Sequence, residues 1–350
     1  MSPPAAGSPP SPLAGLGVDL PVLAAPMAGG PGTPDLVVAA AGAGGLGFLA
    51  GGYQEPARLA AEIARVRGEG VPFGVNLFVP NPLPVDLSAF RDYAAVLQPE
   101  ADEHGLVLDG SNPVEDDDGW PDKVDLLVSD PVPVVSFTFG VPPRPVVDRL
   151  RRVGTVVLQT VTSADEAVHA TSSGADGLVV QASAAGGHSG TFTPRVVPPP
   201  TAAPELVARV RRATGLPLLA AGGVATAADV ADLLGAGAAA VVVGTVLLRS
   251  DEAGTSAPYR AALADPDRGD TLVTCAFTGR PARSLPNRFT SRYSELAPVG
   301  YPAVHHLTSP LRRAATAAGR SDQVNLWAGT GYRAAAEGPA GEVLRRLADR

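Results

Sequence analysis

The sequence predicts an α/β fold, namely a closed (β/α)8 TIM barrel with a mostly helical C-terminal extension over the barrel mouth. Apolar, β-branched runs alternate with alanine-rich helical patterns, and eight such pairs fill about 250 residues, the usual size of this barrel. The runs are continuously apolar, as is typical of parallel strands buried on both faces. A doubly wound open sheet would explain the alternation equally well, but eight consecutive units favour closure.

The first four predicted strands come from apolar runs that end at polar or glycine-containing segments. They are 20–27, "GGLGFLAG", 71–79 and 132–140. The helical patterns after the first three are "TPDLVVAAAGAG", "EPARLAAEIARVRGEG" and "LSAFRDYAAVL". The second of these helices ends at a glycine, which is a common helix stop. An acidic insertion at about 98–122 precedes the fourth strand.

The last four predicted strands follow the same rule, at 155–161, 176–182, 216–223 and 238–245. The helices "RPVVDRLRRVG", "SADEAVHATSSG", "APELVARVRRATG" and "TAADVADLLGAG" separate strands four to eight. We therefore expect a barrel domain over 15–250. The segment 251–350 is helical and irregular, and we expect it to complete the active site. It is too polar and broken to predict a sheet of its own.

Composition excludes several classes of protein. The net charge of −8 and the lack of a basic stripe argue against nucleic acid and anionic membrane as partners. No apolar run reaches the ~20 residues of a membrane span. Residues 1–14 form a proline-rich tail without an apolar h-region, so we expect disorder rather than a secretory signal. These features predict a cytoplasmic protein, and a homodimer is a possible assembly.

Single residues exclude further chemistry. The lone cysteine, Cys275, cannot form an intrachain disulfide or a cysteine-rich metal site. Lys123 is the only lysine, so the chain has no GK[ST] phosphate loop, and Schiff-base chemistry would have to use a lysine in a charged stretch. The pair His305–His306 lacks a third ligand at suitable spacing, so no metal is expected. The acidic run 115–118 predicts a solvated loop, because adjacent aspartates repel each other.

Active sites of TIM barrels lie at the carboxyl ends of the strands, which selects a small set of candidates. They are Met27, Ala28, Gly29, Asn76, Thr138, Gln159, Thr162, Gln181 and His188. The loops after the seventh and eighth strands often form a phosphate site in this fold, and here they contain Gly222, Gly223, Gly244 and Thr245. The alternative is that these glycines only turn the chain, because glycine is abundant throughout it.

His188 differs from the histidines of the acidic insertion and the helices. It follows Gly186 and Gly187, which allow the backbone and the ring to approach a ligand closely. Its imidazole could accept a proton or, when charged, bind an anion. His104 and His169 are interpreted as satisfied or surface histidines.

Several motifs together resemble the first class of nitronate monooxygenases, formerly called 2-nitropropane dioxygenases. They are "APMAGGPGTPDLVVAAAGAGGLGFLAGGY", "GVNLF", "VPVVSFTFG", "QASAAGGHSGTF", "LLAAGGVATAADV", "VVVGT", "FTGRPARSLPNRFT", "YPAVHHLTSPLRRAA" and "VNLWAGTGYRAA". The resemblance implies FMN at the barrel mouth and His188 as the catalytic residue. It implies cofactor contacts from Met27, Ala28, Gly29, Asn76, Gln181, Gly186, Gly187, Gly222, Gly223, Val242, Val243, Gly244 and Thr245, and substrate contacts from Thr138 and Tyr301.

The implied reaction is the oxidation of small anionic nitronates, such as propionate 3-nitronate, and of nitroalkanes by O2, giving a carbonyl product with nitrite or nitrate. The alternatives are an FMN-dependent NAD(P)H reductase of enoyl thioesters or quinones and a barrel that binds flavin or phosphate without catalysis. The chain departs from the family pattern at Ala184, where glutamate is frequent, and at Thr330, where glutamine is usual. Thr138 stands where some members have histidine. These departures leave the substrate preference open.

Overall fold

The computed structural model describes residues 11–349, and its eight parallel strands close into a barrel. This confirms the predicted TIM barrel, and each barrel strand lies within one of the predicted runs. The barrel strands are β1 (Val22–Ala24), β2 (Gly47–Ala50), β3 (Phe73–Phe78), β4 (Val134–Thr138), β5 (Val156–Val161), β6 (Gly177–Gln181), β8 (Leu218–Ala221) and β9 (Ala240–Val243). Strand β1 pairs with β9, which completes the ring.

Eight helices precede the extension, and seven of them follow the predicted alternation. They are α1 (Pro34–Gly42), α2 (Pro56–Gly68), α3 (Leu87–Asp102), α4 (Trp120–Ser129), α5 (Arg144–Arg152), α6 (Ala164–Ser172), α7 (Ala203–Ala213) and α8 (Ala227–Gly235), of which α4 was not predicted. Side chains of Thr33, Asp86, Ser163 and Thr226 cap the amino ends of four of them. Such caps satisfy backbone amides that have no partner within the helix.

The position of the third barrel helix differs from the prediction. Helix α3, predicted to follow the third strand on the barrel wall, buries its apolar face against helices of the extension instead. Helix α4 packs beside α2 and α5, with Val124 and Leu127 in the cluster that covers the sheet. The acidic insertion therefore narrows to 103–119, between the ends of α3 and α4.

The C-terminal segment contains α9 (Ala257–Ala264), β10 (Leu272–Thr274), β11 (Ala282–Ser284), α10 (Arg288–Tyr293), α11 (Ala303–Ala317) and α12 (Ala340–Ala348). The expectation that it forms no sheet was wrong. Strands β10 and β11 pair antiparallel, and β11 also pairs with β7 (Gly187–His188), which lies in the loop after β6. No local pattern predicts a strand whose partner lies about ninety residues away along the chain.

The final helix is part of the barrel rather than of the cover over its mouth. Helix α12 packs between α1 and α8 and adds Val343, Leu344 and Leu347 to the core around β1 and β9. It thus takes the position of the eighth barrel helix. At the other terminus, Leu13 is buried at the end of the barrel interior, although it was assigned to the disordered tail. Residues 1–10 of that predicted tail lie outside the described residues.

The sequence predicted that no apolar run is long enough to span a membrane, and the helices of the structure test this prediction. Among residues 11–349, no helix combines the length and the apolar character that crossing a membrane would require.

Candidate active site

A cavity of about 1030 Å³ opens at the carboxyl ends of the barrel strands. The predicted residues on its wall are Met27, Ala28, Gly29, His188 and Tyr301. The acidic segment 115–118 and one face of α11 also line the cavity. The mouth of the barrel therefore encloses a space large enough for a cofactor-sized ligand.

The loops after β8 and β9 are shaped by glycine. Gly222 and Gly223 have φ values of +112° and +79°, and a Cβ on Gly223 would lie 2.9 Å from the Cβ of Ala184. Within residues 11–349, the backbone amides of Gly223, Gly244 and Thr245 donate no hydrogen bond to the protein. Neighbouring loops with free amides and little side-chain bulk fit the phosphate of a flavin nucleotide.

This amide cradle does not itself line the cavity. Met27 connects the two regions, because it lines the cavity while a Cβ on Gly244 would lie 3.5 Å from its Sδ atom. Val242 and Val243 are buried strand residues behind the cradle. A ligand that occupies both regions would pass over the Met27–Gly29 turn.

The two departures from the family pattern lie together at the cradle. The amide of Thr330 donates to the carbonyl of Ala184 at 3.0 Å. A Cβ on Gly223 would meet Ala184 at 2.9 Å and the Thr330 hydroxyl at 3.2 Å. The hydroxyl of Thr245 accepts from the amide of Gly329 at 3.0 Å, which joins the same group. Ala184 and Thr330 thus meet beside Gly223.

His188 is held by the small sheet. It lies in β7 opposite Ala282, and its Nε2 atom is 2.9 Å from the hydroxyl of Thr278. Burial and the charges of Arg280 and Arg312 lower the pKa of His188 to about 3. The ring is therefore neutral near pH 7. This state favours proton acceptance over a cationic anchor.

Other predicted residues have structural partners. The amide of Asn76 donates to the hydroxyls of Ser136 and Thr138 inside the barrel, at 2.8 and 3.0 Å. Gln181 donates to the carbonyl of His188 and accepts from the amide of Gly190, so it positions the loop that carries the histidine. None of these three predicted residues (Asn76, Thr138, Gln181) lines the large cavity.

Two of the predicted glycines, Gly186 and Gly187, meet the segment at Trp327–Gly329. A Cβ on Gly186 would lie 2.5 Å from the amide nitrogen of Gly329, so only glycine fits there. Gly187 has a φ of +75°, which also favours glycine. Gln159 and Thr162 are buried and bond to nearby backbone and to Glu166, respectively.

Sequence reasoning missed two arginines near the cavity, one buried and one half-buried. Arg280 is fully buried, stacks 3.8 Å from the ring centroid of Phe139 and donates to the carbonyl of Thr191, while its Nη1 atom has no hydrogen-bond partner among the described residues. Arg312 lines the cavity and donates to His305 and Asn325. Burial lowers the pKa of each guanidinium to about 10.

Aromatic groups also line the cavity. Tyr53 stacks on His305 at a centroid distance of 4.0 Å, and its hydroxyl lies 3.3 Å from that of Tyr301. Burial raises the pKa of Tyr53 to about 12 and moves that of His305 well below its usual range. The helical spacing of His305 and Arg312 on α11, seven residues apart, is the signal that could have identified this face.

The closed parallel barrel, with a histidine-lined cavity and an amide cradle at its carboxyl end, defines an enzyme of the TIM-barrel class. The chain belongs to the nitronate monooxygenase family, whose model matches residues 12–349, and it is an oxidoreductase. The resemblance found in the motifs is thereby confirmed.

Relatives span nearly the whole chain. A probable nitronate monooxygenase of Staphylococcus aureus (strain Newman) is 33% identical over 339 residues, which are 95% of this chain and 94% of that protein. The structure of nitroalkane oxidase from Streptomyces ansochromogenes is 45% identical, with a TM-score of 0.90 and 97% of each chain covered. FabK from Thermotoga maritima is 26% identical, with a TM-score of 0.73 over 95% of this chain and 92% of that one.

Proposed function

We propose that the chain catalyses the FMN-dependent oxidation of small alkyl nitronates by O2, with propionate 3-nitronate as an example and nitroalkanes as further substrates. The carbon–nitrogen bond breaks, and a carbonyl product leaves with nitrite or nitrate. FMN, when bound, supplies the acceptor for electrons from the nitronate. Family membership and the likeness to nitroalkane oxidase support this reaction.

The chain offers separate groups for the two ends of FMN. The free amides of Gly223, Gly244 and Thr245 would bind the phosphate, as backbone donors bind anions in similar loops. The turn of Met27, Ala28 and Gly29, which lines the cavity next to this cradle, would lie beneath the ring system. A monophosphate is the ligand that this small cradle fits.

The observation that carries the choice of substrate is a pair of arginines, Arg280, which is fully buried, and Arg312, which is half-buried and lines the cavity. Within residues 11–349, no carboxylate forms an ion pair with Arg280 or Arg312. A buried charge without an ion-pair partner is costly, so Arg280 together with the half-buried Arg312 makes this region suited to an anionic ligand. Both charges act on His188. A nitronate in the cavity would bring negative charge next to Arg312, with the charge of Arg280 buried behind the cavity lining.

His188 and the arginines then have different tasks. The neutral imidazole accepts the α-proton of a nitroalkane, and the carbanion that forms is the nitronate itself. The fixed guanidinium charges stabilise that anion. A nitronate supplied directly needs no proton removal, so it depends on the arginines more than on His188.

The test begins with the absorption spectrum of the purified protein and continues with an oxygen electrode. We expect a yellow protein that consumes O2 with propionate 3-nitronate and with 1-propyl nitronate. A colourless protein that takes up no added FMN would refute the cofactor. Anaerobic mixing with NADH or NADPH tests the reductase alternative, which requires rapid flavin bleaching. If there is neither O2 uptake nor flavin bleaching, the remaining alternative is a barrel that binds flavin or phosphate without catalysis.

A further inference from the structure

We propose that Thr278 fixes the tautomer of His188, so that the ring keeps its proton on Nε2 and presents Nδ1 as the proton-accepting atom. Thr278 is then a positioning residue for the reaction. Its effect on turnover rests on the proposed function, whereas the protonation of the two ring nitrogens can be measured without turnover.

The hydrogen-bond geometry leaves one consistent arrangement. The Thr278 hydroxyl oxygen lies 2.9 Å from Nε2 of His188 and 3.2 Å from the carbonyl oxygen of Arg280. A hydroxyl has a single proton to donate. The Arg280 carbonyl belongs to a fully buried residue and accepts no other hydrogen bond within residues 11–349. Buried carbonyls are almost always paired, so the threonine proton goes to Arg280 and the hydroxyl accepts from Nε2–H.

Both partners are held rigidly. Thr278 is buried, and its amide donates to the carbonyl of Cys275 at 3.2 Å. His188 is fixed through its pairing with Ala282 and through the hydrogen bond from Gln181 to its carbonyl. These contacts fix the backbone of His188, and turning the ring would break its hydrogen bond to the Thr278 hydroxyl.

The other ring nitrogen is available to a ligand. Nδ1 of His188 has no hydrogen-bond partner in the described part of the chain, and the residue lines the large cavity. The charged and titratable groups around the ring are Tyr53, Tyr301, His305, Arg280 and Arg312. None of them is an anion that would draw a proton to Nδ1 near pH 7, because burial raises the pKa of both tyrosines.

The proton balance of the step is simple. The α-carbon–hydrogen bond of the nitroalkane breaks, its electron pair stays on the substrate as the nitronate, and the proton moves to Nδ1. The imidazole becomes a cation that still donates from Nε2 to Thr278. The total charge does not change, because a neutral base and a neutral substrate become a cation and an anion.

The direct test uses NMR spectroscopy of the flavin-loaded protein with 15N-labelled histidine. The chain has five histidines, so a long-range 1H–15N correlation spectrum contains few signals, and His188→Asn identifies those of His188. We expect a protonated Nε2 and an unprotonated Nδ1 near pH 7. The reverse assignment, or an equal mixture of the two tautomers, would overturn the proposal.

Variants connect the tautomer to turnover. Thr278→Val is expected to give a mixture of tautomers and to lower kcat/KM for nitroethane by roughly 10- to 100-fold, while turnover of its nitronate changes little. Thr278→Ser should retain the wild-type tautomer and rate. Thr155→Val is the matched control, since this buried threonine also donates to a carbonyl, 2.9 Å away at the opposite end of the barrel.

The outcomes separate the two proposals. Equal losses for nitroethane and its nitronate in Thr278→Val, with the tautomer unchanged, would reduce Thr278 to a packing role and overturn the inference. Absence of wild-type turnover with both substrates would instead refute the proposed function, while the NMR result still decides the tautomer. If Thr278→Val does not fold, the NMR spectrum of the wild-type protein alone decides which tautomer His188 adopts.

Discussion

The ammonium group of Lys123 forms a 2.9 Å ion pair with the carboxylate of Asp118, and its side chain is only 2% exposed. The other oxygen of Asp118 accepts from the amide of Tyr53 at 3.0 Å. The last residue of the acidic run thus braces a tyrosine of the cavity wall, whereas the sequence predicted a solvated loop. The charge repulsion that motivated that prediction is relieved by the buried lysine, because it neutralises the one aspartate that turns inward.

Lys123→Met is expected to lower the free energy of unfolding by about 3 kcal/mol, because it leaves a largely buried carboxylate without its cation. Denaturant unfolding monitored by fluorescence measures the loss. The double variant Asp118→Asn with Lys123→Met is the control, and it should recover most of the stability. A double variant as unstable as the single one would contradict the ion-pair explanation.

The same variant should respond to pH in a defined direction. Burial raises the pKa of Asp118 to about 6, and Lys123 opposes that rise. A group whose pKa is higher in the folded state stabilises at low pH, and the contribution disappears as pH increases through the folded-state pKa. Without Lys123 that pKa rises further, so the deficit of Lys123→Met should be smaller near pH 5 than near pH 7. A stability deficit that is equal near pH 5 and near pH 7 would argue against this direction of the pH dependence.

Gly223→Ala is expected to weaken FMN binding by at least about tenfold, because the new methyl group would strain a backbone at φ +79° and press on Ala184. Flavin fluorescence during dialysis measures the retained cofactor. Gly215→Ala, where a Cβ meets nothing within 4 Å, is the matched control and should retain FMN. Equal FMN affinity in both variants would remove the loop after β8 from the proposed phosphate site.

His188→Asn is expected to keep its flavin and to lose nitroalkane turnover by about 100-fold or more, because the general base is gone. Turnover of the preformed nitronate should fall much less. Steady-state oxygen uptake with nitroethane and with its nitronate measures both rates on one preparation. An unchanged nitroethane rate would remove His188 from the mechanism.

In a plot of kcat/KM against pH, the decline on the acid side (the acid limb) reports the pKa of His188. Since that pKa is about 3, kcat/KM for a nitroalkane should not decline between about pH 7 and about pH 5, where an ordinary histidine would gain its proton. Arg312→Met removes a positive charge that lowers this pKa, so the limb should move to higher pH. Arg313→Met, its exposed neighbour on α11, is the control that should leave the limb in place. A decline of the wild-type kcat/KM near pH 6.5 would contradict the lowered pKa of His188.

The strand order, the barrel closure and the location of the cradle glycines could be predicted from the sequence because they follow local rules. Continuous apolar runs specify buried parallel strands, and the carboxyl ends of those strands meet at one rim. That rule also directed attention to His188. In contrast, nothing in the pattern around Thr278 or Arg280 distinguishes a residue beside the histidine from an ordinary core residue.

By itself, therefore, the sequence determined the barrel, the family and the loops that bear the candidate cofactor site, since periodicity and motifs are properties of short segments. Only the tertiary structure decided which helix covers which strand, that β11 pairs with β7, and that two arginines from distant segments act on one histidine without an ion-pair partner among residues 11–349. These features arise from contacts between residues far apart in the chain. Their energies depend on burial and on the whole charged surroundings, which no local pattern specifies.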